Sequence, residues 1–390
     1  MTDRDKVASL ADLGLTAQGG AEAWITGLSV DSREVKQGHL FAALPGVNMH
    51  GGEFIQYAVR MGAGAILTDR EGAAIAKNVL VGAGIPLVLA EDPRQTLAFA
   101  AALWFERQPE VMAAVTGTNG KTSVATFLRQ IWVMTGLRAC NIGTTGVEGE
   151  VDIPLAHTTP EPITLHRILA QLAEAHVSHA VMEASSHGLA QRRLDGVRLE
   201  AAGFTNFTQD HLDYHADFEE YFEAKAGLFD RVLSEDGVVV LNDADPRSDQ
   251  IRHIADQRGL DVISVGRKEG SDLRILGLRY DATGQDLRFD WHGQAVQVRL
   301  PLIGGFQAEN VLLATGLAIA TGSKPAHVFD VLPRLQSVRG RMQLAARRAN
   351  GAAVFVDYAH TPDAGAPARG GRGGINKNQP TRQNCVCGIP

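Results

Sequence analysis

Short apolar runs and helically spaced apolar positions alternate along most of the chain. Leu40 to Leu44, Ala63 to Thr68 and Ile85 to Ala90 are brief apolar runs beside Gly or Pro and predict buried strands. Phe54 to Met61 and Thr96 to Arg107 predict helices. Strands alternating with helices define a small α/β domain over residues 1–107, ended by the linker-like Gln108-Pro109-Glu110. A second unit, 108–337, opens on the apolar run Val111 to Val115, a Gly-containing turn and a helix from Lys121 to about Gly136. His179 to Met182, Ala201 to Phe204 and Gly237 to Leu241 predict further buried strands, the last closed by the turn Asn242 to Pro246. Helical patterns at Ile163 to Ala175 and Phe218 to Leu233 lie between them, which implies a mostly parallel sheet with helices on both faces. Over 272–301 the apolar period drops to two, at Leu276, Leu278 and Tyr280, then Leu287 and Phe289, then Val296, Val298 and Leu300, and predicts an antiparallel appendage. A helix from Phe306 to Thr321 closes the unit. A third α/β domain starts near Arg339-Gly340-Arg341, has a strand at Ala353 to Val356 and runs over 338–364. Residues 365–390 then hold six Gly and three Pro with almost no apolar periodicity, and are expected to stay disordered. A good strand followed by such a tail reads as a truncation or a frameshift that replaces the rest of the domain.

Composition narrows the class. The 390 residues are 45% hydrophobic and 21% charged, ordinary values for a folded chain, which exclude a disordered polypeptide or a coiled-coil rod. The net charge of −7 argues against a broad basic face for nucleic acid. No apolar run approaches the roughly 18 residues needed to span a bilayer, and the N-terminus has no basic segment leading into an apolar one, so no membrane partner is expected. Three cysteines, Cys140, Cys385 and Cys387, do not build a disulfide framework, so the cytoplasm is the expected compartment; the sequence is silent on oligomeric state, and a monomer is the default.

Four segments carry chemistry. Thr116-Gly117-Thr118-Asn119-Gly120-Lys121-Thr122-Ser123 follows a strand and opens a helix, the context of a phosphate loop. There backbone N–H groups and the helix N-terminus bind phosphates, Lys121 neutralises charge and the Thr122 hydroxyl can ligate Mg²⁺. The usual pattern has Gly five positions before Gly120, where this chain has Val115, so the loop is a variant; the alternative is an incidental Gly-rich turn. Glu183, in Val181-Met182-Glu183-Ala184-Ser185-Ser186-His187-Gly188, is a strand-end carboxylate able to bind the nucleotide's Mg²⁺, or simply a solvated one. Asn206 to His215 follows the next strand, so it belongs on the same rim of the sheet. Its His211 and His215 are spaced to share a metal on a helix, although such a pair is more often structural. By itself Lys225, in EAKAGLF, reads as an ordinary helix lysine.

Together TGTNGKT, MEASSHGLAQRR, NFTQDHLDYH and EAKAGLF, in this order, resemble the Mur ligase superfamily, ATP-dependent amide-forming enzymes of peptidoglycan precursor synthesis. VDSREVKQGHLFAALPG, AHTTPEP and DYAHTPDA are similar to its tripeptide-forming branch, which adds the third stem-peptide residue to UDP-N-acetylmuramoyl-L-alanyl-D-glutamate, and the likeness covers about residues 20–364. The resemblance implies roles. Ser29, Asp31, Ser32 and Arg33, with His50 following, hold the UDP-linked substrate, and Thr158, Thr159, Ser185, Gln191 and Arg193 bind its muramoyl-dipeptide. Gly117 to Ser123 with Lys121, together with Asn310, Arg341 and His360, bind ATP. Thr122, Glu183 and His211 attend Mg²⁺. Lys225 becomes the lysine that CO₂ carbamoylates to support a second Mg²⁺, which overturns its bland reading. Lys121, Lys225 and His211 are then the catalytic set.

The implied partners are ATP, the UDP-muramoyl-dipeptide and an amino acid, with meso-diaminopimelate favoured over L-lysine. No Asp-Asn-Pro-Arg occurs anywhere in the chain, and after Ala364 the likeness ends, so the third domain that selects the amino acid looks incomplete and a poor or dead ligase is expected. The competing readings are a non-catalytic fragment that binds UDP-precursor and ATP, a folylpolyglutamate-type ligase with a similar loop, and a phosphate-loop switch without amide chemistry. The Cys385-Val386-Cys387 pair is expected to mean nothing in such a tail.

Overall fold

A computed structural model describes residues 6–46, 48–210, 214–281, 283–341, 343–347 and 353–357. In chain order the first stretch holds β1 (Ala8–Ser9), β2 (Trp24–Ile25), β3 (Gly27–Ser29), β4 (His39–Ala42), α1 (Ile55–Arg60), β5 (Ala65–Thr68), α2 (Arg70–Ile75), α3 (Lys77–Ala83), β6 (Leu87–Leu89) and α4 (Pro93–Phe105). Then follow β7 (Val111–Thr116), α5 (Lys121–Met134), β8 (Ala139–Gly143), β9 (Gly146–Gly149), α6 (Pro162–Glu174), β10 (His179–Glu183), α7 (Ser186–Ala190), β11 (Leu199–Phe204) and α8 (Phe218–Gly227). The remainder carries β12 (Leu233–Asn242), α9 (Ser248–Arg258), β13 (Asp261–Gly266), β14 (Leu273–Asp281), β15 (Gly284–Trp291), β16 (Gln294–Leu300), α10 (Phe306–Ala320), α11 (Pro325–Val331), β17 (Gln343–Arg347) and β18 (Ala353–Val356). Contacts divide the chain into two units, Met1–Gln108 with Pro160–Glu174 and Gly188–Val197, and Pro109–Thr159 with Ala175–His187 and Arg198–Pro390.

The first unit is built on a parallel four-stranded sheet of order β3-β4-β5-β6. Successive strand side chains face opposite sides. Leu40, Ala42, Ala65 and Leu67 therefore pack with Leu97, Ala101 and Trp104 of α4. Phe41, Ala43 and Ile66 pack with Ile55, Ala58 and Leu80 on the other face. Both faces are covered, which is why these strands read as continuous apolar runs rather than alternating ones. α4 begins at Pro93 rather than at Thr96, because Asp92 caps it by accepting from Gln95 N (3.1 Å) and Pro suits the first helical position.

The second unit holds a ten-stranded sheet of order β16-β15-β14-β13-β12-β11-β7-β10-β8-β9. The central strands run parallel, with Glu183 opposite Val115 and Phe204 opposite Thr116. Their carboxyl ends thus share one rim, the usual place for a ligand in such a sheet. Ala113, Val115, Val181, Ala201 and Val240 bury one face against Phe127 and Ile131 of α5 and Val311 and Leu317 of α10.

Two expectations are corrected. The region 272–301 is antiparallel within itself but is no appendage. β14 pairs in parallel with β13 at Val265–Leu273 and Gly266–Arg274, so the hairpin strands extend the same sheet and Leu273, Leu287, Phe289 and Leu300 join the same core. The helix expected to reach Leu233 ends at Gly227, where a π turn takes over (Leu228–Val232) and β12 begins at once. Arg258 of α9 bonds the carbonyls of Phe229 and Leu233, satisfying oxygens that a continuing helix would have used itself. His211, His360 and the 365–390 tail lie outside the described residues.

Candidate active site

The Gly-rich loop joins β7 to α5 on the carboxyl rim. It is braced from the next strand: Thr205 Oγ1 donates to Asn119 O (2.6 Å), while the Asn206 amide accepts from Asn119 N (2.9 Å) and donates to Asn119 O (3.1 Å). Gly120 has φ +93°, a left-handed conformation, and a Cβ there would sit 2.6 Å from the Asn310 side-chain oxygen. Asn310, on the first turns of α10, is therefore brought against the loop. Ser123 is buried in the first turn of α5.

Two lysines converge on one loop carbonyl. Lys121 Nζ donates to Gly117 O (2.9 Å) and Thr118 O (2.8 Å), and Lys225 Nζ, on α8, donates to the same Gly117 O (2.7 Å). Lys225 is almost fully buried, its ammonium over the Tyr221 ring (4.5 Å to the centroid), and Tyr221 Oη meets Thr118 Oγ1 at 3.2 Å. Burial, with Lys121 as a second cation nearby, holds the Lys225 amine well below the ordinary lysine range. Lys121 is lowered too, by burial and by Arg341, against the opposing pull of Glu183.

Glu183 ends β10 beside the loop. Its Oε2 accepts from Thr122 Oγ1 (2.9 Å), and its Oε1 accepts from Thr144 N (2.8 Å). A Cβ on Gly143 would stand 2.0 Å from Glu183 Oε1, so a glycine is required there for the carboxylate to occupy its place. Arg341 Nη2 reaches Thr122 Oγ1 at 3.4 Å. Thr158 touches Thr144 through their hydroxyls (3.1 Å), and Thr159 Oγ1 donates to Glu183 O (2.9 Å) and meets Ser185 Oγ at 3.0 Å. Lys121, Thr122, Glu183, Lys225, Thr158, Thr159, Ser185, Asn310 and Arg341 are thus assembled along one rim. The Thr122–Glu183 oxygens form a hard donor pair that fits Mg²⁺.

The other expected residues belong to the first unit. Ser29 Oγ donates to Asp31 O (2.8 Å), and Asp31 caps the turn Ser32–Glu34 while its carboxylate takes the Arg33 guanidinium (2.9 Å to Oδ1). That guanidinium, aided by the Arg33 backbone N–H, holds Asp31 below the usual carboxylate range. Ser32 is buried in the same turn. His50 Nδ1 accepts from Gly52 N (2.9 Å) and its Nε2 lies 3.1 Å from Asp69 Oδ1. Burial works against charge on Asp69, but Gly72 N–H and His50 outweigh it and keep its carboxyl low. Gln191 Oε1 accepts from Arg193 (2.7 Å), and both line a small cavity.

Sequence reading overlooked Gly143, Thr144, Thr205, Asn206 and Tyr221. Asn206 carried a usable signal, since it opens the segment singled out for its histidines directly after a buried strand. Gly143 and Thr144 carried none, because β8 was not expected. Among the described residues no helix is long and apolar enough to cross a membrane.

A Gly-rich loop opening a helix, with a carboxylate at the neighbouring strand end, makes this an α/β protein of the phosphate-loop class. Residues 115–318 match the family described as Mur ligase middle domain, and 24–105 match Mur ligase family, catalytic domain. The chain is 44% identical over 361 residues to UDP-N-acetylmuramoyl-L-alanyl-D-glutamate–2,6-diaminopimelate ligase of Brucella melitensis, covering 92% of this chain and 72% of that one. It is 46% identical over 346 residues to the enzyme of the same name from Caulobacter vibrioides, covering 87% and 70%. A solved structure of a ligase of that name superposes with a TM-score of 0.77 at 29% identity, over 92% of this chain and 72% of the other. MurF of Acinetobacter baumannii, at 20% identity and a TM-score of 0.63 over 92% and 74%, shares the fold. The chain belongs to the Mur ligase family.

Proposed function

We propose that the chain is an ATP-dependent ligase of peptidoglycan precursor synthesis. It joins the D-glutamyl carboxylate of UDP-N-acetylmuramoyl-L-alanyl-D-glutamate to an amino group of meso-diaminopimelate, acting as a monomer in the cytoplasm. The substrates follow the names of relatives 44% and 46% identical. The observation that carries the chemistry is the convergence of Lys121, Thr122, Glu183 and Lys225 on one loop.

A carboxylate is a poor acyl donor because oxide is a poor leaving group. The carboxylate oxygen attacks the γ-phosphorus of ATP, an O–P bond forms, the bond to ADP breaks, and an acyl phosphate results. The amine then attacks the acyl carbon, the C–O bond to phosphate breaks, phosphate leaves and the nitrogen loses a proton. Two anions must meet in the first step, so charge screening dominates the barrier. Backbone N–H groups from Gly117 to Ser123 cradle the phosphates, and Lys121 turns from the loop carbonyls toward them. Asn310, Arg341 and His360 hold the nucleotide. Thr122 and Glu183, with His211, would hold Mg²⁺, which when bound neutralises phosphate charge. A neutral, buried amine is the form of lysine able to add CO₂, and Lys225 is kept toward that form; its carbamate would supply a further carboxylate for metal. Thr158, Thr159 and Ser185 orient the dipeptide, with Gln191 and Arg193, while Ser29, Asp31, Ser32, Arg33 and His50 hold the UDP end.

The test is direct. The purified chain is mixed with ATP, Mg²⁺, UDP-muramoyl-dipeptide and either meso-diaminopimelate or L-lysine, and ADP release and product mass are followed. Expected is a tripeptide product with diaminopimelate, in low yield because the sequence carries no Asp-Asn-Pro-Arg segment, and lost on Lys121→Met. No product with either amino acid, while both nucleotides still bind, overturns the ligase reading.

A further inference from the structure

We infer that Arg94 is a substrate-binding residue, holding an oxyanion of the UDP-linked substrate in the cavity of the first unit; the inference rests on the substrate named above. The cavity, about 90 Å³, is lined by Val30, Leu44, Pro162, Glu161, Gln191, Arg193 and Arg94. That volume is well under the roughly 300–1,000 Å³ of a pocket that encloses a whole ligand. It suits one group of a larger molecule.

Its charge lies on the wall. Arg94 sits in the first turn of α4, where the helix dipole disfavours a cation. Its guanidinium donates to Pro45 O, a neutral acceptor, and among the described residues it makes no salt bridge. The arginine that meets the N-cap of the same helix is treated differently: Arg192 is 2.8 Å from the Asp92 carboxylate and 3.9 Å from Asp195. The carboxylate lining the cavity, Glu161, spends its oxygens on Ile163 N (2.8 Å) and Thr164 N (2.6 Å), capping α6. Arg94 therefore brings a cation into a cavity whose acid faces a helix end, next to Arg193. A guanidinium has five N–H donors, and its bond to Pro45 O leaves others for an incoming oxyanion. Pro45 follows Leu44 on the cavity wall, so the same bond fixes that wall. Val30 follows Ser29, in the segment expected to hold the UDP moiety, which puts the cavity beside the diphosphate end or a carboxylate of the same substrate.

The experiment measures affinity of the full chain for UDP-N-acetylmuramoyl-L-alanyl-D-glutamate and for UDP alone, by calorimetry at two salt concentrations. Arg94→Gln keeps an N–H donor for Pro45 O but removes the charge; Arg94→Lys keeps the charge. Expected is a loss of about tenfold to a hundredfold for Arg94→Gln, the range of a hydrogen bond to a charged group, shrinking at high salt and partly rescued in Arg94→Lys. Loss toward UDP alone assigns the diphosphate, and loss confined to the dipeptide-bearing ligand assigns a carboxylate. Unchanged affinity in Arg94→Gln overturns the inference, and so does a loss insensitive to salt and equal in Arg94→Lys, which marks a structural role through Pro45. Failure of the unmodified chain to bind either ligand would instead overturn the substrate reading.

Discussion

The two expected binding regions are wired differently. Around the Gly-rich loop, side chains meet partners far away in sequence: Thr122 bonds Glu183 across 61 positions, Asn119 bonds Asn206 across 87 and Lys225 bonds Gly117 across 108. In the first unit several expected residues bond near neighbours, although His50 reaches Asp69 across 19 positions. Ser29 bonds Asp31, Asp31 bonds Arg33 and Gln191 bonds Arg193, each two positions apart. Long-range bonds fix a geometry through the packing of the whole sheet, which suits a site where charge must be met by groups already in place. Local bonds keep side chains satisfied while leaving them free to exchange partners for a ligand. On the function proposed above, the loop region would be preorganised for chemistry and the first unit adapted to capture.

The largest way to break this contrast is Gly143→Ala. A Cβ there would press on Glu183 at 2.0 Å, and the carboxylate is held by Thr122 and Thr144 with little room to give. Expected is a stability loss of about 1–3 kcal/mol by chemical denaturation, and a ligase rate reduced on the order of 10²-fold, as for loss of one preorganised group. Wild-type rates in this variant would mean that the loop site adapts as freely as the first unit.

A smaller effect on stability concerns Lys225. Its folded-state pKa lies well below the ordinary 10.5, chiefly by burial, so the unfolded chain binds the proton more tightly. That contribution to stability is fully present above about pH 10.5, and falls as pH drops toward the folded-state pKa. Lys225→Met removes the buried amine at similar volume. In CO₂-free buffer it should raise stability at neutral pH by about 1–2 kcal/mol, with the gain shrinking as pH approaches 10, while ligase turnover is lost. A gain independent of pH would assign the effect to packing instead of charge.

These networks explain what could be read in advance. The loop was legible because its cradle, cation and hydroxyl are contiguous, and Glu183 because it ends an apolar strand. The bonds that lock them were not, since nothing local in Gly143 or Thr144 reports a carboxylate 39 positions on. The parallel centre of the fold was legible in its apolar runs. The attachment of 272–301 was not: a period of two marks strands but not their neighbours, and the parallel joint of β13 with β14 rests on two residue pairs. Helix α9 escaped because its buried residues are Ser248, Ile251 and Ala255, too sparse an apolar stripe to stand out.

The smallest effect tests the capture side. The Arg33 side chain is 82% exposed, and its ion pair with Asp31 spans two residues at the surface. Such solvent-screened pairs contribute little to stability. Arg33 also holds the Asp31 carboxyl below its usual range, so whatever the pair contributes is present at neutral pH and fades as acid protonates Asp31. Arg33→Ala should therefore leave the denaturant midpoint almost unmoved and weaken UDP-substrate affinity by less than about tenfold. Asp31 should matter more, because its carboxylate also caps the Ser32–Glu34 turn by accepting from Arg33 N at 2.9 Å, a bond that Arg33→Ala preserves. If Arg33→Ala instead unfolds the unit at lower denaturant, the local knot is a structural brace like those around the loop. If it abolishes substrate binding with stability intact, capture depends on a single exchangeable cation, and the division between a preorganised site and an adaptable one becomes sharper still.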